Sequence, residues 1–93
     1  MQYTVRWDHW VESDFIDAWI KSDSQTRAAL TEIANTIDRT LSRSPESLGQ
    51  LQPDGATRAV VMRVGPTSVK VFFEVFPQDR QVLVYRLLYR RTE

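Results

Sequence analysis

The sequence contains no cysteine, and this absence limits the chemistry open to the chain. Disulfide bonds and thiolate metal sites are excluded. The one histidine, His9, has no second histidine or cysteine with which to hold a metal ion. Neither a glycine-rich phosphate loop nor a Gly-x-Ser-x-Gly turn is present. We therefore expect no metal site and no cofactor.

Long hydrophobic runs are also missing. A membrane-spanning helix needs about 20 apolar residues, and the sequence has no such run. The N-terminus lacks the apolar stretch of a signal peptide. We therefore expect a cytoplasmic protein with no membrane partner. The chain has 93 residues, of which 42% are hydrophobic and 26% charged, so residues 1–93 are expected to form a single globular domain.

The chain as a whole has no excess charge, because its 12 basic and 12 acidic residues cancel. Overall attraction to nucleic acid is therefore not expected. The charge is unevenly placed, since residues 1–57 hold five basic and nine acidic side chains, and residues 58–93 hold seven basic and three acidic ones. Two interpretations stay open: the C-terminal part faces an anion, or acidic helices simply lie beside a sheet of mixed charge.

Hydrophobic periodicity predicts the order strand, helix, helix and three strands. Residues 2–7 alternate as a strand does, and apolar residues at helical spacing predict helices near 9–21 and 25–43. Asp8 caps the first helix, and Asp23 or Ser24 the second. After a polar loop, three strand-like runs cover residues 58–64, 69–76 and 82–90. Their short links make them antiparallel neighbours. The predicted fold class is α+β, with a helical hairpin on one face of the sheet.

Strict alternation sorts these strands into two faces. Apolar sets should face the helices, since buried unpaired charge is costly: Val69, Val71, Phe73 and Val75, then Leu83, Tyr85, Leu87 and Tyr89. The opposite face, called the outer face from here on, is expected to carry Lys70, Phe72, Glu74 and Phe76, then Val82, Val84, Arg86, Leu88 and Arg90. Arg58 and Arg63 have opposite parity, and Arg63 is placed outside because Val60, Met62 and Val64 then join the core.

The outer face allows two chemical interpretations. Its cations suit phosphate binding, with Glu74 as a base and Tyr89 as a proton donor only if it turns to this face. Alternatively, Glu74 pairs with Arg86 or Lys70 across strands, which the residue pattern alone favours. The apolar side chains of Phe72, Phe76 and Leu88 on the same face predict a protein partner, unless the loop at 44–57 or a homodimer contact covers them.

The C-terminal residues resemble those of a known family. Residues 62–66 and 69–75 look like a glycine turn that leads into a basic residue and an apolar-aromatic strand ending in Glu-Val. Residues 79–82 look like the polar hairpin that follows, and residues 84–91 like a last strand that closes with a basic pair. Together with the order of elements, this resembles the RelE/ParE toxins of type II toxin–antitoxin systems.

The resemblance implies a toxin held inactive by a cognate antitoxin. Nuclease members are metal-independent endoribonucleases (mRNA interferases) that cut mRNA in the ribosome. By position, Lys70 stands for the strand arginine of that group, Arg90 for the arginine of the final strand, and Arg63 for an earlier basic residue. These three are the expected catalytic residues, and Arg86 and Arg91 would add phosphate and RNA binding.

Two features keep other functions open. Tyr89 stands where many members have histidine. Nuclease members usually carry a tyrosine or similar residue after the last strand, and no tyrosine is found there in this sequence. A gyrase-inhibiting toxin of the ParE branch, which acts on DNA gyrase without a nuclease site, is one alternative. A non-toxic protein-binding module on the same fold is another.

Overall fold

The computed structural model describes residues 2–91, with the backbone alone at residue 91. The elements are β1 (Thr4–Trp7), α1 (His9–Lys21), α2 (Ser24–Leu41), β2 (Gln50–Leu51), β3 (Thr57–Val64), β4 (Thr67–Phe76) and β5 (Gln81–Arg91). The α+β class and the predicted order are confirmed, and the one added strand, β2, lies in the segment predicted as loop.

An aspartate caps the N-terminus of each helix. Oδ2 of Asp8 accepts a hydrogen bond from the Trp10 N–H at 3.1 Å, and Oδ1 of Asp23 accepts from the Thr26 N–H at 2.8 Å. Each carboxylate satisfies an amide that has no partner within its helix. Asp23, not Ser24, is therefore the cap of α2. Neither helix within residues 2–91 is both long and apolar enough to cross a bilayer.

α2 ends two residues before the predicted boundary. Ser42 is its C-cap, and the Ser42 carbonyl accepts a hydrogen bond from the Tyr3 N–H at 2.8 Å. Because that carbonyl is engaged by the chain entering β1, the contact ties the end of α2 to the start of the sheet.

The sheet has the strand order β1-β5-β4-β3-β2. β3, β4 and β5 form the predicted antiparallel meander. β1 lies parallel to β5 and pairs with Gln81–Val84 only. Alternation along the sequence could not specify this pairing, because it says which side chains share a face but not which strand lies alongside.

The core lies between α2 and one face of the sheet. Its fully covered side chains include Ile37, Leu41, Val69, Val71, Phe73, Val82 and Val84. Trp7 connects β1 to both helices, because its ring meets Phe15 edge-on at 5.3 Å and its Nε1 donates to Oδ1 of Asp38 at 3.0 Å. The helices thereby cover one face of the sheet and leave the outer face open.

The predicted faces of β5 are wrong in its first half. Phe72 pairs with Arg86 but the next residue, Phe73, pairs with Val84, so Tyr85 is an extra residue in the strand. Such a bulge reverses the in-and-out alternation on either side of it. Val82 and Val84 consequently lie in the core and Leu83 and Tyr85 on the outer face, whereas Arg86, Leu88 and Arg90 lie outside as predicted.

The segment between α2 and β3 runs along the edge of the sheet. Leu48 packs against the core, and the Arg58 Nε donates to the Leu48 carbonyl at 2.9 Å. Gly49 has φ of +64°, and a Cβ there would meet the Ala59 carbonyl oxygen at 2.1 Å, so glycine is required for β2 to reach β3. β2 therefore lies beside β3 at the edge of the sheet.

Candidate functional site

Three cations meet at one end of the outer face. Arg63 of β3 pairs with Ser68 of β4, which in turn pairs with Arg90 of β5. Lys70 lies on the same face two residues farther along β4, a distance of about 6.6 Å. Because adjacent strands are about 4.8 Å apart, the three side chains rise from one patch. We call Arg63, Lys70 and Arg90 the basic trio.

Within residues 2–91, no acidic side chain forms an ion pair with the basic trio. All three side chains are exposed, and none forms a salt bridge with a residue of the described chain. The Arg63 Nε makes only a long hydrogen bond of 3.4 Å to the Gly65 carbonyl. Unpaired cations fixed on a rigid sheet create a local positive potential that attracts an anion.

The remaining arginines considered for the outer face are Arg58, Arg86 and Arg91. Arg58 is on the helix side, opposite Phe73, and its Nε donates to the Leu48 carbonyl, so Arg63 is the arginine of β3 that lies on the outer face. Arg86 lies opposite Phe72 on the outer face and is exposed. The side chain of Arg91 lies outside the described part of the chain, so its predicted role in RNA binding stays a prediction.

Glu74 has a partner that the sequence did not suggest. The Tyr85 hydroxyl donates a hydrogen bond to Oε1 of Glu74 at 2.7 Å. The predicted pairing of Glu74 with Arg86 or Lys70 is wrong, since no such ion pair occurs among the described residues. Strict alternation had assigned Tyr85 to the core. The sequence signal that could have revealed the bulge was the apolar pair Val82 and Val84, which strict alternation placed on a face otherwise rich in charge.

Tyr89 does not reach the outer face. It pairs with the buried Val69 on the helix side and lines a groove of about 310 Å³ together with Trp10 and Asp14 of α1. Partial burial raises the pKa of Tyr89. The condition for Tyr89 to serve the outer face as a proton donor is therefore not met.

The hydrogen bond to Glu74 keeps Tyr85 protonated over a wide pH range. It raises the pKa of Tyr85 to about 12, with smaller contributions from burial and from the negative charges of Glu74, Asp8 and Asp54. A phenol that donates to a carboxylate is stabilised in its protonated form, and the adjacent negative charge opposes the phenolate. Tyr85 is thus a fixed donor towards Glu74 at physiological pH.

Substituting Glu74 with glutamine should lower the pKa of Tyr85 towards the ordinary value of 10.0. The raised folded-state pKa means that the hydroxyl stabilises the fold below pH 10 and loses that contribution as the pH rises towards about 12. An NMR titration of ring-labelled tyrosine measures the shift, with Tyr85→Phe to assign the signal. An identical titration in wild type and Glu74→Gln would contradict the pairing.

An open hollow of about 470 Å³ lies on the outer face, and one of its lining residues, Phe72, is two residues from Lys70 along β4. Phe72, Glu74, Tyr85 and Arg86 line it, and residues 54, 56 and 57 contribute to its rim. Asp54 at this rim is engaged within its own turn, because its Oδ1 accepts from the backbone N–H groups of Ala56 and Thr57 at 2.9 and 2.8 Å. These bonds hold the pKa of Asp54 below its usual value. We call this feature the Tyr85 hollow.

Apolar side chains surround these polar groups on the outer face. Phe72 is half-buried, whereas Phe76 and Leu88 are 37% and 42% exposed, and the neighbouring Val61 is 62% exposed. Asp54, Ala56 and Thr57 border the hollow beside Phe72, whereas Phe76, Leu88 and Val61 stay exposed. The exposed apolar surface that the sequence predicted at Phe76 and Leu88 is therefore present, while the partner itself stays a prediction.

Similarity to known proteins is found at the level of structure. The chain superposes on a chain of the toxin–antitoxin complex RelBE2 from Mycobacterium tuberculosis with a TM-score of 0.64 and 23% identity, covering 97% of this chain and 100% of the other. A mutant of the Escherichia coli toxin RelE in the free state superposes with a TM-score of 0.60 and 15% identity, covering 94% and 82%. The chain has a RelE-like fold. Neither a protein-family model nor a curated protein matches its sequence.

Both superpositions span nearly the full chain, so the shared fold includes β1, the helical hairpin and the meander. At identities below 25%, a shared fold does not carry an activity with it. The function has to be argued from the outer face of this chain, where the basic trio and the Tyr85 hollow lie side by side.

Proposed function

We propose that this chain is the toxin of a type II toxin–antitoxin module and that its outer face cleaves mRNA as a metal-independent endoribonuclease. The observation that carries the proposal is the register that aligns Arg63, Ser68 and Arg90 across three strands, with the three cations of the basic trio exposed. The RelE-like fold supports the toxin assignment, because both superposed structures are of toxins or their complexes.

The basic trio suits the chemistry of RNA strand cleavage. In this reaction the 2′-hydroxyl of one nucleotide loses its proton and attacks the adjacent phosphorus, the bond from that phosphorus to the 5′-oxygen breaks, and the 5′-oxygen takes up a proton. Negative charge accumulates on the phosphate oxygens, where pre-positioned cations stabilise it. The planar fork of Arg63 or Arg90 matches two phosphate oxygens, and Lys70 adds a point charge.

The same face offers a place for an antitoxin. Leu88 pairs with Lys70, and the half-buried Phe72 lies two residues farther along β4, so both apolar side chains are next to the cations, while Phe76 lies at the other end of the same face. Exposed apolar side chains of this kind are typical of a protein interface. The superposed RelBE2 chain belongs to a toxin–antitoxin complex. An antitoxin lying over this surface would block RNA physically, and both the antitoxin and the ribosome-bound mRNA would be met in the cytoplasm.

Induced expression of the wild-type protein in bacteria tests the proposal. We expect growth arrest together with new RNA 5′ ends, and recovery when a small adjacent reading frame that encodes the antitoxin is expressed with it. Arrest without new ends would contradict the nuclease and direct attention to a protein target such as DNA gyrase. Unchanged growth with soluble, folded protein would contradict toxicity and leave a binding module.

A further inference from the structure

We propose that the free edge of β5 binds an extended acidic segment of a partner protein, which pairs with β5 as an additional strand and places apolar side chains against α1. This inference goes beyond the proposed function, because it concerns the edge of the sheet and not the outer face. It is also independent of whether the chain cleaves RNA.

β5 is much longer than the strand beside it. It runs from Gln81 to Arg91, but β1 pairs with Gln81–Val84 only. β4 pairs with the other side of β5 along its whole length. Within residues 2–91, no strand lies beside residues 85–91 on the β1 side. A free edge of this length presents backbone donors and acceptors with which another strand can pair.

The pairing with β4 shows which residues of this edge point outwards. In an antiparallel pair, residues that bond the neighbouring strand alternate with residues that point to the other side. The Val84 carbonyl accepts a hydrogen bond from the Asp8 N–H at 2.8 Å, so Val84 points to the β1 side. The partners of Val84, Leu87 and Tyr89 follow each other on β4 at every second residue. Leu87 and Tyr89 therefore point to the β1 side too, and their N–H and C=O groups form the open edge.

An apolar groove runs beside these open groups. It has a volume of about 310 Å³ and lies between α1 and β5, and we call it the α1–β5 groove. Trp10, which is 73% exposed, lines it together with Val11, Leu87 and Tyr89. No residue of α1 is buried, so this helix keeps apolar surface for a further contact. A strand paired with Leu87 and Tyr89 directs every second side chain into the groove.

The charges on the two sides of the edge decide which segment fits. Arg86 and Arg90 lie on the outer face, where they are exposed and form no ion pair within the described part of the chain. Acidic residues opposite them on the added strand would form stabilising cross-strand pairs. Asp14 lines the groove on the helix side, where it repels a carboxylate or a phosphate. The edge therefore suits a peptide that alternates acidic and apolar residues, and not a nucleic acid.

A second copy of this chain does not suit the edge. Two β5 strands paired antiparallel with the longest overlap are centred on Leu88, which places Arg86 of one copy opposite Arg90 of the other. Like charges directly opposite each other destabilise a strand pair. The same two arginines favour a partner that carries acidic residues at those positions.

Binding of short peptides to the purified protein tests the inference. The probe is a labelled peptide with the core Glu-Val-Thr-Val-Glu, whose glutamates face Arg86 and Arg90 and whose valines face the groove. The comparison peptide has lysine in place of both glutamates. We expect fluorescence anisotropy to show roughly tenfold tighter binding of the glutamate peptide, because two cross-strand pairs change sign.

Methylated peptides separate strand pairing from side-chain contacts. In antiparallel pairing, the N–H groups of both valines point to β5 and that of the central threonine points away. N-methylation of both valines should weaken binding by roughly tenfold, whereas N-methylation of the threonine should leave it unchanged. In the bound protein, hydrogen exchange of the Leu87 and Tyr89 amides should slow. Equal binding of the two methylated peptides would overturn strand pairing.

Variants of the protein test the groove and the charges. Trp10→Ala should weaken binding of the glutamate peptide, and Ile20→Ala, which removes an exposed apolar side chain of α1 outside the groove, is the matched control and should bind as wild type does. Arg86→Glu should reverse the preference, so that the lysine peptide binds more tightly.

Three results would overturn the inference. Folded wild-type protein that does not bind the glutamate peptide would mean that the arginines only protect the edge from pairing. Equal binding of the glutamate and lysine peptides would remove the acidic partner. Self-association of the wild-type protein that Trp10→Ala abolishes, measured by sedimentation, would place a second copy on the edge. None of these results bears on RNA cleavage, which is measured separately in cells.

Discussion

The double variant Lys70→Ala/Arg90→Ala is expected to lose RNA cleavage in cells while keeping the fold of the wild-type protein. Removal of a single group that stabilises developing charge costs about 10²–10³ in rate, so loss of two cations from the basic trio should lower cleavage by at least roughly a hundredfold. Both side chains are exposed and lie outside the core, and surface substitutions of this kind change stability by about 0.5 kcal/mol or less.

The measurement is the number of new RNA 5′ ends after induction, normalised to the amount of soluble protein. Lys21→Ala/Arg39→Ala is the matched control, since it removes the same charge from two helical residues in exposed ion pairs with Asp17 and Glu32. We expect the control to cleave as wild type does. Equal cleavage by the basic-trio variant would remove Lys70 and Arg90 from the mechanism, whatever the control shows.

The sequence predicted the helices well because their signals are local. In α2, apolar residues at helical spacing continue for several turns; Ile33, Ile37 and Leu41 are buried, and Leu30 and Ala34 are partly buried. The aspartate caps are also local, since each carboxylate contacts an amide only two or three residues away. The end of α2 was predicted two residues too late, and the Ser42 carbonyl at the observed end accepts from the N–H of Tyr3, which is distant in sequence.

The outer face could be predicted only where the alternation is unbroken. β3 and β4 pair without interruption from Thr57 to Val64, so the alternation of side chains along β3 correctly put Arg63 outside and Arg58 inside. A bulge has no fixed sequence signature, because one extra residue changes the register without changing composition. Tyr85 was therefore missed, and with it the hydrogen bond that gives Glu74 its partner.

Two phenylalanines of β4 provide a direct test of which face is buried. Phe73 is completely buried, whereas Phe76, three residues later on the same strand, is 37% exposed on the outer face. Phe73→Ala should lower the free energy of unfolding by about 3–5 kcal/mol, the cost of a large cavity in a packed core. Phe76→Ala should cost about 1 kcal/mol or less, as is usual away from the core.

Urea denaturation measures both changes, as a lower midpoint at an unchanged slope. A small domain is stable by only about 5–15 kcal/mol, so Phe73→Ala should leave a protein close to unfolding, while Phe76→Ala should remain well folded. Equal losses would mean that the two faces of β4 are assigned incorrectly, and the outer face could then not hold the proposed site. With the expected difference, Phe76→Ala becomes a folded reagent: weaker antitoxin binding by this variant could not be attributed to unfolding, and would place the partner on the outer face.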